Sequence, residues 1–367
     1  MREHPHSVNG VEPGISRVPW TASRSGDRVG LSTWPPRCMV RPPMSWDLRF
    51  MNELPKLILT RENIQQGRTP KELASRCRSG ALVRVRRGVY VDGGVWRALK
   101  PWEQYRVRVS AAAETFVAPT IFAWHSAASV WRIPSIGVRH PVHALTLQND
   151  GGRSRAGVLR HYAPKAGLKC VRRDGLLVTG RIRTVLDLAA FSPFVEAVVP
   201  IDHVLRPDVA QGLPALTKEQ LLAGIEGNYT AAAEKRIRAA VEFADSRSGS
   251  PGESYSRALM WVAGFEAPEL QHEMRDGSGL VGYTDYYWDS VRVAGEFDGI
   301  EKYVKPEYLN GRTISQAVVD EKAREDRIRA LGNGVVRWVW ADLMAAGQLE
   351  RKLAAAGVPR RRARSAR

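Results

Sequence analysis

The chain of 367 residues holds only three cysteines, Cys38, Cys77 and Cys170, far apart and without a CxxC pair. That scarcity excludes a disulfide-stapled scaffold and a zinc ribbon, and makes a reducing cytoplasm the expected setting. No apolar run approaches the roughly 18 residues of a membrane span. The first residues lack the apolar core of a secretion signal. No internal repeat is visible, which excludes a solenoid. Hydrophobic residues at 44% and charged residues at 25% exclude a wholly disordered chain.

Negative charge is also in short supply. There are 55 Lys plus Arg against 38 Asp plus Glu, a net charge of +17, and the pI is near 10.2. Such a balance points to polyanionic partners, nucleic acid before membrane. A membrane surface would call for a basic amphipathic helix or a lipid anchor, and neither is evident. An Arg-rich codon bias would produce the same excess, so charge alone names no partner.

Composition divides the chain. Residues 1–50 combine Pro, Ser, Gly and Arg without periodicity and read as a disordered leader, with Met44 and Met51 as alternative starts. A compact signal follows at 51–94. Thr60 reads as the cap of a short helix. Thr69-Pro70 with Glu72 forms a capping box with Pro at the first helical position, and Gly80 marks the stop. Val83 and Val85 then alternate with Arg84 and Arg86, and Gly88 turns the chain into Val89-Tyr90-Val91. Two helices and a basic hairpin make a winged helix-turn-helix pattern. Lys71, Arg76 and Arg78 on its second helix could enter a major groove while Arg84, Arg86 and Arg87 meet phosphates. A charged edge that only prevents aggregation would look the same.

Residues 95–245 read as a mixed α/β middle domain. Helices are expected at 102–113, 125–131, 184–190 and 219–225, and strands at 142–147, 158–162 and 176–179, with a loop at Gln148–Gly152. His125 reads as a helix-end or core histidine, and Asp187 and Asp202 as capped or paired acids. Ser246–Gly252, rich in Ser and Gly, is the expected linker. Residues 253–357 then read as helix, three strands, crossover helix, strand and helix, a mixed sheet with helices on its faces. Trp338 and Trp340 are expected in the core of its last strand. The Arg-rich stretch 358–367 reads as a basic tail.

The acids of the last domain are the chemical candidates. Asp285 lies in the second strand and Glu296 in the third, eleven residues on, with a tight turn at Asp289-Ser290 between them. Glu296 and Asp298 share a face, and Glu253 opens the preceding helix. Clustered carboxylates need a cation or a proton between them. Mg²⁺ or Mn²⁺ suits oxygen ligands of this kind and can activate water at a phosphodiester. Lys302 could orient that water. Pairing of each acid with one of the many arginines is the competing reading.

Gly295-Glu296-Phe297-Asp298-Gly299-Ile300-Glu301-Lys302-Tyr303, with Val335–Leu343 after the helix from Glu321 to Leu331, resembles very-short-patch-repair-like domains of the PD-(D/E)xK nuclease superfamily over about 252–350. The resemblance implies a restriction-endonuclease-like domain with Asp285 and Glu296 as metal ligands and Glu253 as the acid of the opening helix. Tyr283-Thr284-Asp285-Tyr286 departs from the usual Arg-x-Asp-Phe. Asp298 stands where the superfamily pattern has Lys, although this branch commonly carries that Asp.

Residues 54–240 resemble AbiEi-type antitoxins of type IV toxin–antitoxin systems, through Arg78–Tyr90, His125-Ser126-Ala127-Ala128 and Arg183–Ala189. That resemblance implies DNA binding with transcriptional regulation, and a cognate toxin encoded nearby. The expected fold class is therefore α+β and multidomain. The expected function is a DNA-binding protein carrying an endonuclease-like domain, with a non-enzymatic antitoxin or regulator as the alternative.

Overall fold

The computed structural model describes residues 54–137, 139–146, 157–163, 169–299 and 313–361. Lys302, the leader, the loop Gln148–Gly152 and the end of the basic tail lie outside them. The chain is a mixed α/β protein with thirteen α-helices and three sheets among the described residues. No helix there is long and apolar enough to cross a membrane.

The first sheet is antiparallel with order β1-β3-β2, from β1 (Ile58–Leu59), β2 (Leu82–Arg86) and β3 (Val89–Asp92). Helices α1 (Thr60–Gln65) and α2 (Pro70–Arg78) lie between β1 and β2. α2 starts as its sequence dictates: Thr69 Oγ1 accepts from the Glu72 backbone N–H at 3.2 Å, and Pro70 removes a donor that no helix would satisfy. α1 begins on Thr60 itself rather than being capped by it. Leu73 is the buried residue of α2.

Helix α3 (Gly93–Ala98) leads to α4 (Pro101–Ala113). α4 serves two cores. Ala111 packs with Leu59 and Val89 of the first sheet, whereas Tyr105, Val109 and Ala112 belong to the middle core. The middle sheet has order β6-β5-β4-β8-β7, built from β4 (Ile121–Phe122), β5 (Val142–Thr146), β6 (Val158–Tyr162), β7 (Cys170–Arg173) and β8 (Leu176–Thr179). The β5–β6 and β4–β8 pairs are parallel. Its helices are α5 (Trp124–Trp131), α6 (Arg181–Phe191), α7 (Phe194–Val204), α8 (Lys218–Ala223) and α9 (Ala231–Phe243).

The last sheet has order β12-β11-β10-β9, from β9 (Glu269–Asp276), β10 (Gly279–Trp288), β11 (Val293–Phe297) and β12 (Gly334–Trp338). β9, β10 and β11 are antiparallel neighbours, and β12 joins parallel to β11. That parallel pair requires a crossover, which α11 (Ile314–Ala330) supplies. Helices α10 (Pro251–Val262), α12 (Trp340–Met344) and α13 (Gln348–Ala355) complete the unit. Two cores flank the sheet. Met260, Tyr286, Trp288, Phe297 and Trp338 fill one face beneath α10, and Met274, Tyr287, Ala294 and Ile328 fill the other beneath α11. Trp340, expected in the strand, begins α12 instead.

The stretch expected as a linker is packed. Ser248 is buried, and Pro251 and Gly252 already belong to α10. α10 lies against α7 of the middle region. Arg257 of α10 reaches Asp202 of α7 at 2.8 Å, donates to the Phe243 carbonyl at 2.9 Å and stacks over the Phe243 ring. Both members of this pair are buried, so the two regions meet through a desolvated ion pair rather than a solvated tether.

Candidate functional site

The hairpin of β10 and β11 fixes the acids. Tyr286 stands opposite Gly295, so one further step sets Asp285 opposite Glu296, as expected from sequence. Asp285 Oδ2 also accepts from the Phe297 backbone N–H at 2.8 Å, which ties the two strands together at this point. Glu296 is in turn opposite Arg337 of β12. Asp285, Glu296 and Arg337 thus form a row across three strands, on the face that α11 covers.

Gly295 is the only residue type that fits between these acids and the core below. A Cβ there would stand 2.9 Å from both the Trp288 and Trp338 rings. On the opposite side of the strand, Glu296 is 6% exposed. Burial pushes its carboxyl above the usual range, Arg324 pulls it back down, and the Asp285 charge adds to the rise.

Arginines pair with most of the other charge in this site. Nη2 of Arg324, from α11, stands 2.6 Å from each Glu296 oxygen. Its remaining donors go to Glu321 and to the Tyr283 carbonyl. Arg337 binds Asp298 with two donors at 2.7 and 2.8 Å, and also reaches Glu321 at 2.9 Å and Glu325 at 3.1 Å. These carboxylates raise the affinity of both guanidinium groups for their protons. Glu321 is affected in the opposite sense: burial alone would raise it, but its bonds to Arg324 and Arg337 win and hold it low.

The structure brings Asp285 and Glu296 together and sets Asp298 beside them under Arg337. Glu253, at the start of α10, has a carboxylate that accepts from the Gly249 backbone N–H at 2.6 Å and from Gln271 Nε2 at 3.2 Å. Gln271 lies on β9 between Leu270 and His272, which pair with Tyr286 and Thr284 on either side of Asp285. Gln271 has φ +53° in mid-strand, which breaks the alternation of β9: Leu270 faces the α10 core and Met274 the α11 core. Arg324, Arg337 and Glu321 were not foreseen from sequence. The i,i+3 spacing of Glu321 and Arg324 was a usable sign that α11 presents charge inward. Among the described residues no group of three or more His, Cys, Asp and Glu converges as a metal-binding set. The acid pair is an all-oxygen donor set of the kind that suits a hard divalent ion carrying its own waters.

The basic residues of the first region differ among themselves. Lys71, Arg78, Arg84 and Arg87 are exposed, and Arg76 is half-buried. Arg86 is half-buried: its Nε donates to Thr115 Oγ1 at 2.9 Å, and partial burial lowers its proton affinity.

The middle region holds a polar cluster that sequence did not suggest. His143 Nδ1 and His161 Nε2 are 2.9 Å apart, and the His125 and His140 rings stack at 3.7 Å. His161 also lies 3.6 Å from the Trp124 ring, ring centre to ring centre. Burial pushes His125 down to about 3 and His143 to about 4, so both are neutral near pH 7. Asp187, read from sequence as a capping or paired acid, accepts from Arg183 at 2.7 Å and from the Tyr229 hydroxyl at 2.8 Å.

No family model matches the chain. It is similar to the uncharacterized proteins MT2308 and Rv2248 from two strains of Mycobacterium tuberculosis. Each is 28% identical over 269 residues, spanning 70% of this chain and 93% of the relative. Among solved structures, the RV2827C protein of Mycobacterium tuberculosis is similar over 60% of this chain and 84% of its own, with 16% identity and a TM-score of 0.33.

Proposed function

We propose that this protein binds DNA through an N-terminal winged helix and that its C-terminal unit is a metal-dependent endonuclease domain of restriction-endonuclease type. The single observation that carries the enzymatic half is Asp285 facing Glu296 across the β10–β11 hairpin, in a sheet crossed by α11. Two carboxylates at that spacing would hold one Mg²⁺ or Mn²⁺. The ion, when bound, supplies an activated water and neutralises charge on the leaving oxygen. The protein's own part is to hold Asp285 in place through the Phe297 amide and to fix Asp298 through Arg337. Lys302 is retained as the residue that orients the attacking water.

The DNA-binding half rests on the exposed Lys71, Arg78, Arg84 and Arg87 and on the net charge of +17. Phosphate contacts by such residues give affinity that falls with salt. One observation favours a second reading: Arg324 already neutralises Glu296. In that reading the protein is a non-enzymatic antitoxin or transcriptional regulator of AbiEi type, with a cognate toxin as partner and the C-terminal unit as a binding surface. Incubating supercoiled plasmid with Mg²⁺ or Mn²⁺ separates the two. The endonuclease reading expects nicking by the wild type that Asp285→Ala abolishes. Equal, metal-independent background from both would leave the regulator.

A further inference from the structure

We infer that Arg324 is a built-in competitor of the divalent ion, so that the acid pair takes metal readily only when nucleic-acid phosphate draws the guanidinium away. The inference rests on the endonuclease reading and adds its regulation. Its basis is geometric. A single nitrogen, Nη2, sits 2.6 Å from both oxygens of Glu296, on the edge of the carboxylate that a cation would approach. Glu296 is almost wholly buried and Arg324 is about one-fifth exposed, so little water screens the contact; the other cation, Arg337, stands farther off at 3.6 Å, and a buried carboxylate calls for a close one.

The surroundings allow the arginine to leave. Glu321 accepts from Arg324 Nε at 3.1 Å, a contact separate from the Nη2 that holds Glu296, so the side chain stays anchored to α11 when its contact with Glu296 is given up. Glu321 also holds Arg337, so the released charge stays within a network already balanced around it. With Nε held by Glu321, the Nη1–Nη2 edge, whose Nη1 makes only a 3.3 Å contact with the Tyr283 carbonyl, offers paired donors suited to a phosphate. Metal and phosphate then each favour the other's binding by the same factor, as linkage requires.

Binding of Mn²⁺ alone, followed by calorimetry or by the electron paramagnetic resonance signal of free Mn²⁺, tests this without any turnover. The full-length wild type is compared with Arg324→Gln, Arg324→Lys and Asp285→Ala. Removing one charge-assisted contact corresponds to about tenfold in an equilibrium. Arg324→Gln is therefore expected to bind Mn²⁺ about tenfold more tightly than wild type, and Asp285→Ala to lose binding. Arg324→Lys, which keeps the charge but not the fork, is expected to fall between wild type and Gln, and decides the matter if the Gln variant does not fold. If the Arg324 variants bind no more tightly than wild type while Asp285→Ala loses the ion, the competition is refuted and the endonuclease reading stands. If Arg324→Gln, wild type and Asp285→Ala all bind alike, or none binds, both fail.

Discussion

Gly295 and Arg257 illustrate how single residues carry this structure. Gly295 lies between two tryptophan rings, with no room for a methyl group on that side. Gly295→Ala is expected to cost about 1–3 kcal/mol through overpacking, read as a lower urea midpoint. Arg257 is the cation of a buried pair with Asp202. Its replacement by Ala strands a carboxylate that also accepts from the Asp245 backbone N–H. The expected loss is about 3–5 kcal/mol, and a loss under 1 kcal/mol would show that the pair is solvated in solution. The surroundings of Asp202 in sequence left capping and pairing both open and named no partner, because that partner, Arg257, lies 55 positions along the chain. The acid pair was more legible. A strand–turn–strand with two acids eleven positions apart leaves few registers, and the observed one makes them face each other. Arg324 was invisible because its contact with Glu296 depends on how α11 lies across the sheet.

At the scale of elements, the hairpin of β2 and β3 and the helix α2 formed where their local signals predicted, since each is specified by neighbours in sequence. α7 was missed. Its run Phe-Val-Glu-Ala-Val-Val-Pro is apolar on nearly every side and contains Pro200, so it offers neither an amphipathic stripe nor an unbroken helical pattern. β4, only two residues long, carries no period to read. Arg86, grouped from sequence with Arg84 as a phosphate contact, donates through Nε to Thr115, next to α4, which packs against β2. The consequence is testable by salt titration of DNA affinity. Arg84→Ala with Arg87→Ala is expected to reduce the slope of log K against log salt by roughly 1–2. Arg86→Ala should lower the melting temperature while leaving that slope nearly intact. An unchanged slope in the double variant would remove these arginines from the interface.

At the scale of the whole molecule, the three sheets are joined by packed helices. α4 spans the first and second cores, and the α7–α10 contact joins the second region to the third. The histidine cluster makes the middle of this assembly sensitive to acid. His125 and His143 are held neutral, at about 3 and about 4 against an ordinary 6.5, and the neighbouring His140 and His161 are lowered by burial too. The unfolded chain therefore takes up protons first as pH falls. Stability is full above about pH 6.5 and declines as pH drops through 6 and 5 towards the folded values. Melting at pH 7 and pH 5 should differ by about 5 °C or more, with the drop reduced in His125→Gln/His143→Gln. Tyr105, which packs edge-on against His140, stays neutral throughout that range because burial raises its hydroxyl.

The central claim is that Asp285 and Glu296 act together on DNA held by the same molecule. Binding and strand cleavage of one supercoiled plasmid, followed in parallel with Mn²⁺ for wild type and Glu296→Gln, test it most directly. The account predicts equal retention of plasmid by both proteins at low salt and nicked product from the wild type alone. Nicking by Glu296→Gln at the wild-type rate, or none by either protein at full plasmid occupancy, would contradict it.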